Sequence, residues 1–247
     1  MKIKDNSILI TGGATGIGFA LTETLVKAGN VVTICGRRQH KLEEARVKVP
    51  QLRTVVCDVS DKENREQLYE WVEKNLPGIN ILINNAGIQR AIDFSKGIEA
   101  LTIGENETEI NFTAPIHLAA HFIPLLLKQS EAAIINVSSG LGFVPMAVMP
   151  VYCATKAGLH SFTLSLRHQL RNTSVKVFEV IPPRIATALG REPDQISGGI
   201  PPTEVATAVM EALENNEYEI AVGGARDLVD GSRTDPEQMF KNLNQWW

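Results

Sequence analysis

Tyr152 and Lys156 are four residues apart in a segment with helical periodicity. On a helix this spacing places both side chains on one face. A phenol has a pKa of about 10, so at neutral pH it is a poor base unless its surroundings help. A neighbouring ammonium group favours the phenolate and brings the phenol closer to the working range of a general acid or base. Such a pair suits proton transfer to or from a substrate oxygen with Tyr152 as the acid/base group, although in a chain with 3 tyrosines and 12 lysines the spacing alone also arises by chance.

A glycine-rich turn near the N-terminus has the composition of a phosphate-binding loop. The segment Thr11–Gly18, TGGATGIG in one-letter code, follows the apolar run Ile8–Ile10 and precedes a helical segment. Glycine permits a tight turn and lets backbone N–H groups approach a pyrophosphate at the start of the next helix. This context predicts a dinucleotide site at Gly12, Gly16 and Gly18, with an ordinary glycine-rich loop as the alternative.

Arginines stand where the second strand of a dinucleotide-binding unit ends. An NAD-selective site carries Asp or Glu at this point, where the carboxylate accepts hydrogen bonds from the ribose 2′-hydroxyl. Here Gly36, Arg37 and Arg38 follow the run Val31–Cys35. A carboxylate would repel a 2′-phosphate, whereas a guanidinium binds one through two hydrogen bonds. The sequence therefore predicts NADP(H) in preference to NAD(H), with a solvated pair at a helix start as the alternative.

The chain that must position these groups alternates between two kinds of segment. Short β-branched runs predict buried parallel strands at Ser7–Ile10, Val31–Cys35, Arg53–Cys57, Ile79–Ile83, Ala133–Val137, Lys176–Ile181 and Glu219–Val222. Helical periodicity marks Gly18–Ala28, Lys62–Asn75, Glu109–Lys128, Thr155–Arg171 and Pro202–Glu214. The alternation predicts an α/β fold: a Rossmann-type, doubly wound parallel sheet of seven strands with helices on both faces, in a single domain over residues 1–247. Ligands bind beyond the carboxyl ends of such strands.

Composition and charge exclude several other classes of protein. The chain has 247 residues, of which 44% are hydrophobic and 21% charged, as in ordinary globular domains. Its formal net charge of −4 gives no sign of a nucleic-acid-binding face. Cys35, Cys57 and Cys153 are widely spaced, so no metal site is predicted and a cytoplasmic location is expected. The uncharged stretches 110–127 and 132–155 contain polar residues or prolines, so no membrane span is expected.

Together these motifs resemble the short-chain dehydrogenase/reductase superfamily. The glycine turn matches the TGxxxGxG motif of that family, and the tyrosine–lysine pair fits its YxxxK motif. The run Asn84–Gly87 matches the NNAG motif after the fourth strand, although adjacent asparagines also suit an ordinary turn. The resemblance extends to about Val222, and the runs 34–38 and 84–90 are most similar to the DltE-type oxidoreductases of the family.

The resemblance implies a catalytic tetrad and a set of cofactor contacts. Ser139, thirteen residues before Tyr152, would donate a hydrogen bond to the substrate oxygen, and Ser138 is the competing candidate. Asn111 would position a water that connects Lys156 with solvent, and Lys156 would also hold the nicotinamide ribose. The implied cofactor contacts are Gly12, Thr15, Gly16, Ile17, Gly18, Arg37, Arg38, Asp58, Val59, Asn85, Ala86, Gly87, Tyr152, Lys156, Pro182 and Thr187.

Other positions permit more than one interpretation. Asp58 would contact adenine by resemblance, but a helix N-cap fits it equally well. Pro183 replaces the family glycine after the sixth strand, which removes a backbone donor. His117 and His121 have the spacing of a zinc pair without a third ligand, so a packed helix face is expected. Residues 140–151 are expected to form an apolar pocket wall or ordinary core.

By resemblance, the chain would be an NADPH-dependent oxidoreductase that interconverts a carbonyl and an alcohol of a small-molecule substrate by hydride transfer. A dinucleotide-binding sensor without turnover is one alternative, and an epimerase or dehydratase on the same scaffold is another. We also expect a substrate lid at about 188–200 and a homodimer or homotetramer formed through helices 109–128 and 155–171. The C-terminal extension, about 235–247, ends in two tryptophans that we expect to pack over a neighbouring subunit or the pocket entrance.

Overall fold

Within the described residues, which are 1–100, 107–187, 189 and 198–246 of this computed structural model, seven strands form one sheet. The strands are β1 (Ser7–Thr11), β2 (Val31–Gly36), β3 (Arg53–Val56), β4 (Ile81–Asn84), β5 (Ala132–Val137), β6 (Val175–Ile181) and β7 (Glu219–Ala221). They lie in the order β3-β2-β1-β4-β5-β6-β7, and all neighbouring pairs are parallel. The predicted doubly wound sheet of seven strands is confirmed.

The central strands form because their residues are apolar, often β-branched, and covered on both faces. Every residue of β4 and β5 is buried, including Asn84 and Asn136. Continuous buried runs of this kind are typical of parallel sheets between two helical layers. The strand order reverses between β1 and β4. A crevice is therefore expected at the carboxyl ends of these two strands, where doubly wound sheets bind their ligands.

Helices cover both faces of the sheet. They are α1 (Gly16–Lys27), α2 (Gln39–Lys48), α3 (Lys62–Asn75), α4 (Ala114–Leu126), α5 (Pro150–Gln169), α6 (Pro202–Asn215), α7 (Ala225–Thr234) and α8 (Pro236–Leu243). Leu21 of α1 and Val205 of α6 belong to the core on one face. Leu68 of α3, Phe122 of α4 and Leu166 of α5 belong to the core on the other.

Two helices differ from the sequence prediction in ways that affect the site. The predicted helix Thr155–Arg171 begins instead at Pro150, because proline suits the first helical turn, where its missing N–H has no partner to lose. Tyr152 therefore lies in the first turn of α5, on the same helix as its partner lysine. The predicted helix Glu109–Lys128 begins with a π-helical stretch, Glu109–Thr113, before α4. Such stretches are rare and often lie at functional sites.

The periodicity of apolar residues did not predict α2, α7 or α8. Of the residues of α2, only Leu42 and Ala45 are buried. In α7 the buried residues are Ala225 and Val229, and α8 buries none of its residues. These helices lack the continuous apolar stripe on which a prediction from periodicity depends.

The C-terminal extension contacts the loop that leads into α5. Asn244 accepts a hydrogen bond from the N–H of Ala147 at 2.6 Å, and its Nδ2 donates to the carbonyl oxygen of Pro145 at 3.0 Å. Trp246 is 89% exposed, so it does not cover the pocket entrance of its own chain as one alternative predicted. The packing of Trp246 over a neighbouring subunit stays a prediction, and Trp247 lies outside the described residues.

Most of the predicted substrate lid also lies outside the described residues, at positions 188 and 190–197. The lid therefore stays a prediction. Among the helices that the structure describes, none has the length and apolar character needed to cross a membrane.

Candidate functional site at the carboxyl edge of the sheet

The glycine turn joins β1 to α1 at the crevice. Gly12 and Gly16 have φ angles of +66° and +56°, in the left-handed region that favours glycine. A Cβ atom on Gly18 would lie 2.3 Å from the carbonyl oxygen of Gly12 and 2.5 Å from Nδ2 of Asn85, so no side chain fits there. Thr15 is the N-cap of α1. The N-terminal N–H groups of α1 thus lie at the carboxyl edge, where they favour an anion.

The segment after β4 is tied to this turn by hydrogen bonds. Oγ1 of Thr11 accepts from the N–H groups of Asn85 and Ala86, each at 3.0 Å. Nδ2 of Asn85 donates to the carbonyl oxygens of Thr11 at 2.9 Å and Gly12 at 3.2 Å. These bonds fix the two loops relative to each other. The sequence did not predict this role of Thr11, although its hydroxyl directly before the glycine turn is a signal for it.

The two arginines predicted to bind a ribose phosphate follow β2. The N–H of Gly12 donates to the carbonyl oxygen of Cys35 at 2.8 Å, which joins the glycine turn to the end of this strand. Arg37 and Arg38 come next and are exposed, and Arg38 is the N-cap of α2. The first turn of α2 contains no acidic residue. This end of β2 therefore carries positive charge beside the glycine turn.

Asp58 and Val59 follow β3. Oδ1 of Asp58 accepts from the N–H and the hydroxyl of Ser60 at 2.9 and 2.7 Å. The N-cap of α3 is Asp61, which accepts from the N–H of Asn64 at 2.8 Å. The alternative that Asp58 caps this helix is therefore wrong, and Asp58 stays a candidate for the adenine contact.

Three of the four side chains predicted to be catalytic meet where β5 ends. The hydroxyl of Ser139 lies close enough to Tyr152 to lower the pKa of its phenol. Nζ of Lys156 donates to the carbonyl oxygen of Val137 at 2.8 Å and lies 5.7 Å from the centre of the Tyr152 ring. All three side chains are buried. The hydroxyls and the amine are thus held within one cluster at the predicted edge of the sheet.

The fourth side chain, Asn111, lies in the π-helical stretch and is fully buried. Its amide accepts from the N–H of Ile88 at 2.9 Å and donates to the carbonyl oxygen of Ile88 at 2.8 Å and to Oγ1 of Thr155 at 3.2 Å. A Cβ atom on Gly87 would lie 3.4 Å from Oδ1 of Asn111 and 3.7 Å from Nζ of Lys156. The Asn111 amide therefore belongs to the same cluster as Lys156. Its hydrogen bond to Thr155 fixes its orientation, and the sequence did not reveal this hydrogen bond.

A buried arginine holds the π-helical stretch against α3. Arg65 is 1% exposed, and its NH1 lies 3.1 Å from Oε1 of Glu109. The same nitrogen donates to the carbonyl oxygen of Val59 at 2.6 Å. Arg65 thereby connects the loop after β3 with the backbone that carries Asn111.

The histidine pair occupies a packed helix face. Nδ1 of His117 lies 3.3 Å from NH2 of Arg65, and the ring of His121 packs against that of Tyr69 with centroids 5.4 Å apart. In the part of the chain that the structure describes, no three His, Cys, Asp or Glu side chains are grouped so as to hold a metal ion.

Burial dominates the protonation of the tyrosine and the lysine. Desolvation raises the pKa of Tyr152 to about 12, and the nearby Ser139 hydroxyl lowers it by a smaller amount. Desolvation lowers the pKa of Lys156 to about 8, and the carboxylate of Glu179 opposes this change. In the chain alone the pKa of Tyr152 thus moves away from the working range that the sequence argument expects, because burial removes the phenolate from water. The role of Tyr152 as the acid/base group stays a prediction. Such displaced pKa values are common at functional sites.

The two serines after β5 differ in their surroundings. The hydroxyl of Ser138 donates to the carbonyl oxygen of Val180 at 3.3 Å, and its N–H donates to the same oxygen at 2.8 Å. Ser139 instead contacts Tyr152, and its Oγ accepts from the N–H of Leu141 at 3.1 Å. The geometry favours Ser139 over Ser138 as the serine of the cluster.

The segment after β6 approaches the glycine turn from the other side. The carbonyl oxygen of Pro182 accepts from the N–H of Gly140 at 3.2 Å, and Pro183 follows without a donor. Thr187 lies near the turn: its Cγ2 would be 3.2 Å from a Cβ atom placed on Gly16. Thr187 is thus close to the predicted phosphate site.

The loop between the serine and the tyrosine is held at several points. The N–H of Ile92 donates to the carbonyl oxygen of Val148 at 2.9 Å, and the N–H of Met146 to Sγ of Cys153 at 3.3 Å. Asn244 adds its two bonds from the C-terminal extension. Most of residues 141–150 are half-buried, which favours a pocket wall over core packing.

Comparisons with known proteins give a consistent family. The family model of short chain dehydrogenases matches residues 6–195. The uncharacterized oxidoreductase DltE of Bacillus subtilis (strain 168) is 48% identical over 248 residues, which cover 99% of this chain and 98% of the relative. The uncharacterized oxidoreductase SSP0419 of Staphylococcus saprophyticus is 29% identical over 225 residues, covering 88% of this chain and 95% of the relative.

Solved structures show the same fold. A short chain dehydrogenase of Burkholderia cenocepacia J2315 in complex with NADP has a TM-score of 0.83 at 26% identity, covering 98% of this chain and 99% of that chain. A short chain dehydrogenase/reductase of Burkholderia phymatum in complex with NAD has a TM-score of 0.83 at 21% identity, covering 99% and 97%. Because one complex contains NADP and the other NAD, the cofactor preference must be argued from the residues of this chain.

Proposed function

The chain belongs to the short chain dehydrogenase family of oxidoreductases, and we propose that it uses NADP(H) to interconvert a carbonyl and an alcohol of a small molecule. The observation that carries this proposal is the buried cluster of Ser139, Tyr152, Lys156 and Asn111 at the carboxyl edge of β4 and β5. It combines a hydrogen-bond donor, a proton donor and a cation beside the crevice of the doubly wound sheet.

The residues around the crevice fit a dinucleotide. Gly12 and Gly16 adopt left-handed backbone conformations that make the turn, and the lack of space for a side chain at Gly18 keeps it tight at the start of α1. The bonds from Thr11 hold Asn85 and Ala86 beside this turn. The proposed contacts are Gly12, Thr15, Gly16, Ile17, Gly18, Arg37, Arg38, Asp58, Val59, Asn85, Ala86, Gly87, Tyr152, Lys156, Pro182 and Thr187.

Each of the four clustered side chains has a separate role in the proposed reaction. The nicotinamide, when bound, supplies or accepts the hydride. Ser139 donates a hydrogen bond to the substrate oxygen, and Tyr152 transfers its hydroxyl proton to that oxygen during carbonyl reduction. With a pKa of about 12, the phenol remains protonated at neutral pH, which favours the reductive direction. Lys156 holds the ribose hydroxyls, while Asn111 positions a water that links Lys156 with solvent.

The preference for NADP(H) rests on Arg37 and Arg38. Both are exposed at the end of β2. Gly36, Arg37 and Arg38 include no carboxylate, which an NAD-selective site would use to accept hydrogen bonds from the ribose 2′-hydroxyl. A guanidinium also matches a phosphate through paired hydrogen bonds. We expect NADPH to bind at least about tenfold more tightly than NADH, equivalent to about 1.4 kcal/mol.

Titration of the protein with NADPH and NADH, followed by nucleotide fluorescence, tests this preference. Arg37→Ala should remove most of the difference between the two affinities. Arg46→Ala is the matched control, because Arg46 is an exposed arginine in the last turn of α2, away from the end of β2. Equal affinities in the unmodified protein would refute the preference.

The reaction itself is tested by NADPH consumption with a panel of aldehydes and ketones, and by NADP⁺ reduction with the matching alcohols. Saturable turnover with at least one carbonyl compound supports the proposal. Tight NADPH binding without turnover across the panel would favour a sensor. Conversion of substrate without net cofactor consumption would favour an epimerase or dehydratase.

We also propose that the protein forms a homodimer or homotetramer through α4 and α5. Leu127, directly after α4, and Leu164 on α5 are 45% and 43% exposed. Covering these two side chains in an assembly would remove apolar surface from water, which stabilises association.

A further inference from the structure

Glu179 on β6 is a fully buried carboxylate for which the proposed reaction has no role. In the sheet register it lies beside Asn136 of β5, which lies beside Asn84 of β4. Because register partners share a face, three polar side chains run across adjacent strands. Nδ2 of Asn84 donates to Oδ1 of Asn136 at 2.9 Å, and Nδ2 of Asn136 donates to Thr163 of α5 at 2.9 Å. This polar row therefore lies beneath α5.

His160 of α5 is the hydrogen-bond partner of this carboxylate. Its Nδ1 lies 2.8 Å from Oε2 of Glu179. Since an ionised carboxylate only accepts, Nδ1 must carry the hydrogen. The other oxygen, Oε1, has no hydrogen-bond partner among the residues that the structure describes. The histidine ring packs against Phe143 with centroids 4.4 Å apart, so the pair also contacts the turn that follows Ser139.

Lys156 lies one helical turn before His160, on the same face of α5. Its Nζ reaches the carbonyl oxygen of Val137, the residue after Asn136 on β5. Asn136 is the register partner of Glu179, so the Lys156 amine reaches β5 directly beside the residue that pairs with Glu179 of β6. A buried carboxylate is costly unless a positive or donating group compensates it. The charge of Glu179 raises the pKa of Lys156 and so opposes the decrease that burial causes.

We propose that Glu179, held by His160, is a positioning residue that keeps Lys156 in its ammonium form during turnover. The inference rests on the proposed function, because it assigns Lys156 a charged role. Without the carboxylate, the buried amine would lose its proton at a lower pH. The helix face that carries Tyr152 and Lys156 would then present a neutral amine at the pH where the protein works.

The other ionisable groups near this pair have partners of their own. Arg167 of α5 donates to the carbonyl oxygens of Val177 at 2.8 Å and Tyr218 at 3.0 Å. Glu219, the register partner of Glu179 on β7, pairs with Arg233 at 2.8 Å. Tyr152 faces Lys156 but stays neutral because burial raises its pKa to about 12. Among the residues that the structure describes, Glu179 is the carboxylate whose charge acts on Lys156.

A titration of Lys156 followed by carbon-13 NMR of lysine Cε tests the proposal without cofactor or substrate, so its result is independent of the proposed reaction. Lys156→Arg assigns the resonance. The unmodified protein should titrate at about 8. Glu179→Gln keeps the shape of the side chain and an oxygen that accepts from His160, but it removes the negative charge. The fraction of Lys156 in the ammonium form at pH 8 should therefore fall from about one half to below about one quarter. Glu219→Gln is the matched control and should titrate like the unmodified protein.

A midpoint in Glu179→Gln that equals or exceeds that of the unmodified protein overturns the proposal. If this variant does not fold, the double variant Glu179→Met with His160→Phe removes both polar partners at similar volume, which proteins tolerate better than one orphaned group. It should lower the Lys156 midpoint in the same direction, and an unchanged midpoint there also overturns the proposal.

With a substrate from the carbonyl panel, the pH profile of kcat gives a second readout. One limb of this profile should follow the ionisation of Lys156. It should move to lower pH in Glu179→Gln and return towards its original position in Glu179→Asp, which restores the charge. A uniform loss of kcat at every pH, with no displacement of the limb, would indicate a purely structural role and contradict the proposal.

Discussion

Replacing Lys156 with methionine removes a buried ammonium group that folding must otherwise take out of water. Lys156 is 4% exposed, and burial lowers its pKa from 10.5 to about 8. Between these values the folded chain binds fewer protons than the unfolded chain, so stability rises with pH. The charge therefore reduces stability in full below pH 8, and this cost disappears as the pH rises beyond 10.5.

The size of the effect follows from the two pKa values. The difference between these two pKa values corresponds to about 3 kcal/mol below pH 8, and to less than about 1 kcal/mol at pH 10. Lys156→Met also loses the hydrogen bond to the carbonyl oxygen of Val137, which costs about 1 kcal/mol at any pH. The variant should therefore be more stable than the unmodified protein by about 2 kcal/mol at pH 7 and equally stable at pH 10.

Urea unfolding of both proteins at pH 7 and pH 10, followed by tryptophan fluorescence, measures this difference. Lys74→Met is the matched control, because Lys74 is exposed on α3 and its replacement should change stability by less than about 0.5 kcal/mol at either pH. A Lys156→Met variant that is less stable than the unmodified protein at pH 7, or a difference that does not change with pH, would refute burial as the cause of the lowered pKa.

Two further predictions concern the glycine turn and self-association. Gly18→Ala would place Cβ 2.3 Å from the carbonyl oxygen of Gly12, so we expect a loss of about 1–3 kcal/mol in urea unfolding and weakened NADPH binding. Gly78→Ala, where a Cβ atom would meet nothing within 4 Å, should change neither, and an equal loss in both variants would contradict the reasoning. Leu164→Glu should shift the protein towards monomer in sedimentation-velocity experiments, whereas a monomeric unmodified protein would exclude the proposed association.

Much of the fold could be predicted because its determinants are local. Runs such as Ala133–Val137 are apolar over their whole length, and the observed strand Ala132–Val137 differs by one residue. The helix Lys62–Asn75 was predicted with its observed bounds, since Asp61 caps it and its buried residues recur at helical spacing. The glycine turn and the tyrosine–lysine pair were likewise visible from residue type and spacing.

Features that depend on three-dimensional packing were not visible in the sequence. The pKa of Tyr152 moves in the direction opposite to the sequence argument, because a pattern of residues gives charges but not the depth of burial. The π-helical stretch at Glu109–Thr113 has no propensity signal, and its support by Arg65 joins distant parts of the chain. In the sequence Glu179 is an isolated acid within a strand. Its neighbour Asn136 and its partner His160 are known only from the strand register and the packing of α5.

Tyr152→Phe tests the central claim most directly, because it removes one hydroxyl from the buried cluster and keeps the ring. With a carbonyl substrate from the panel, kcat should fall by about 10²–10⁴-fold, while the Kd for NADPH should stay within about threefold of the unmodified protein. Tyr69→Phe, which loses only an exposed hydrogen bond to Glu73, should leave both values unchanged. Undiminished turnover by Tyr152→Phe would contradict the assignment of this tyrosine as the acid/base group.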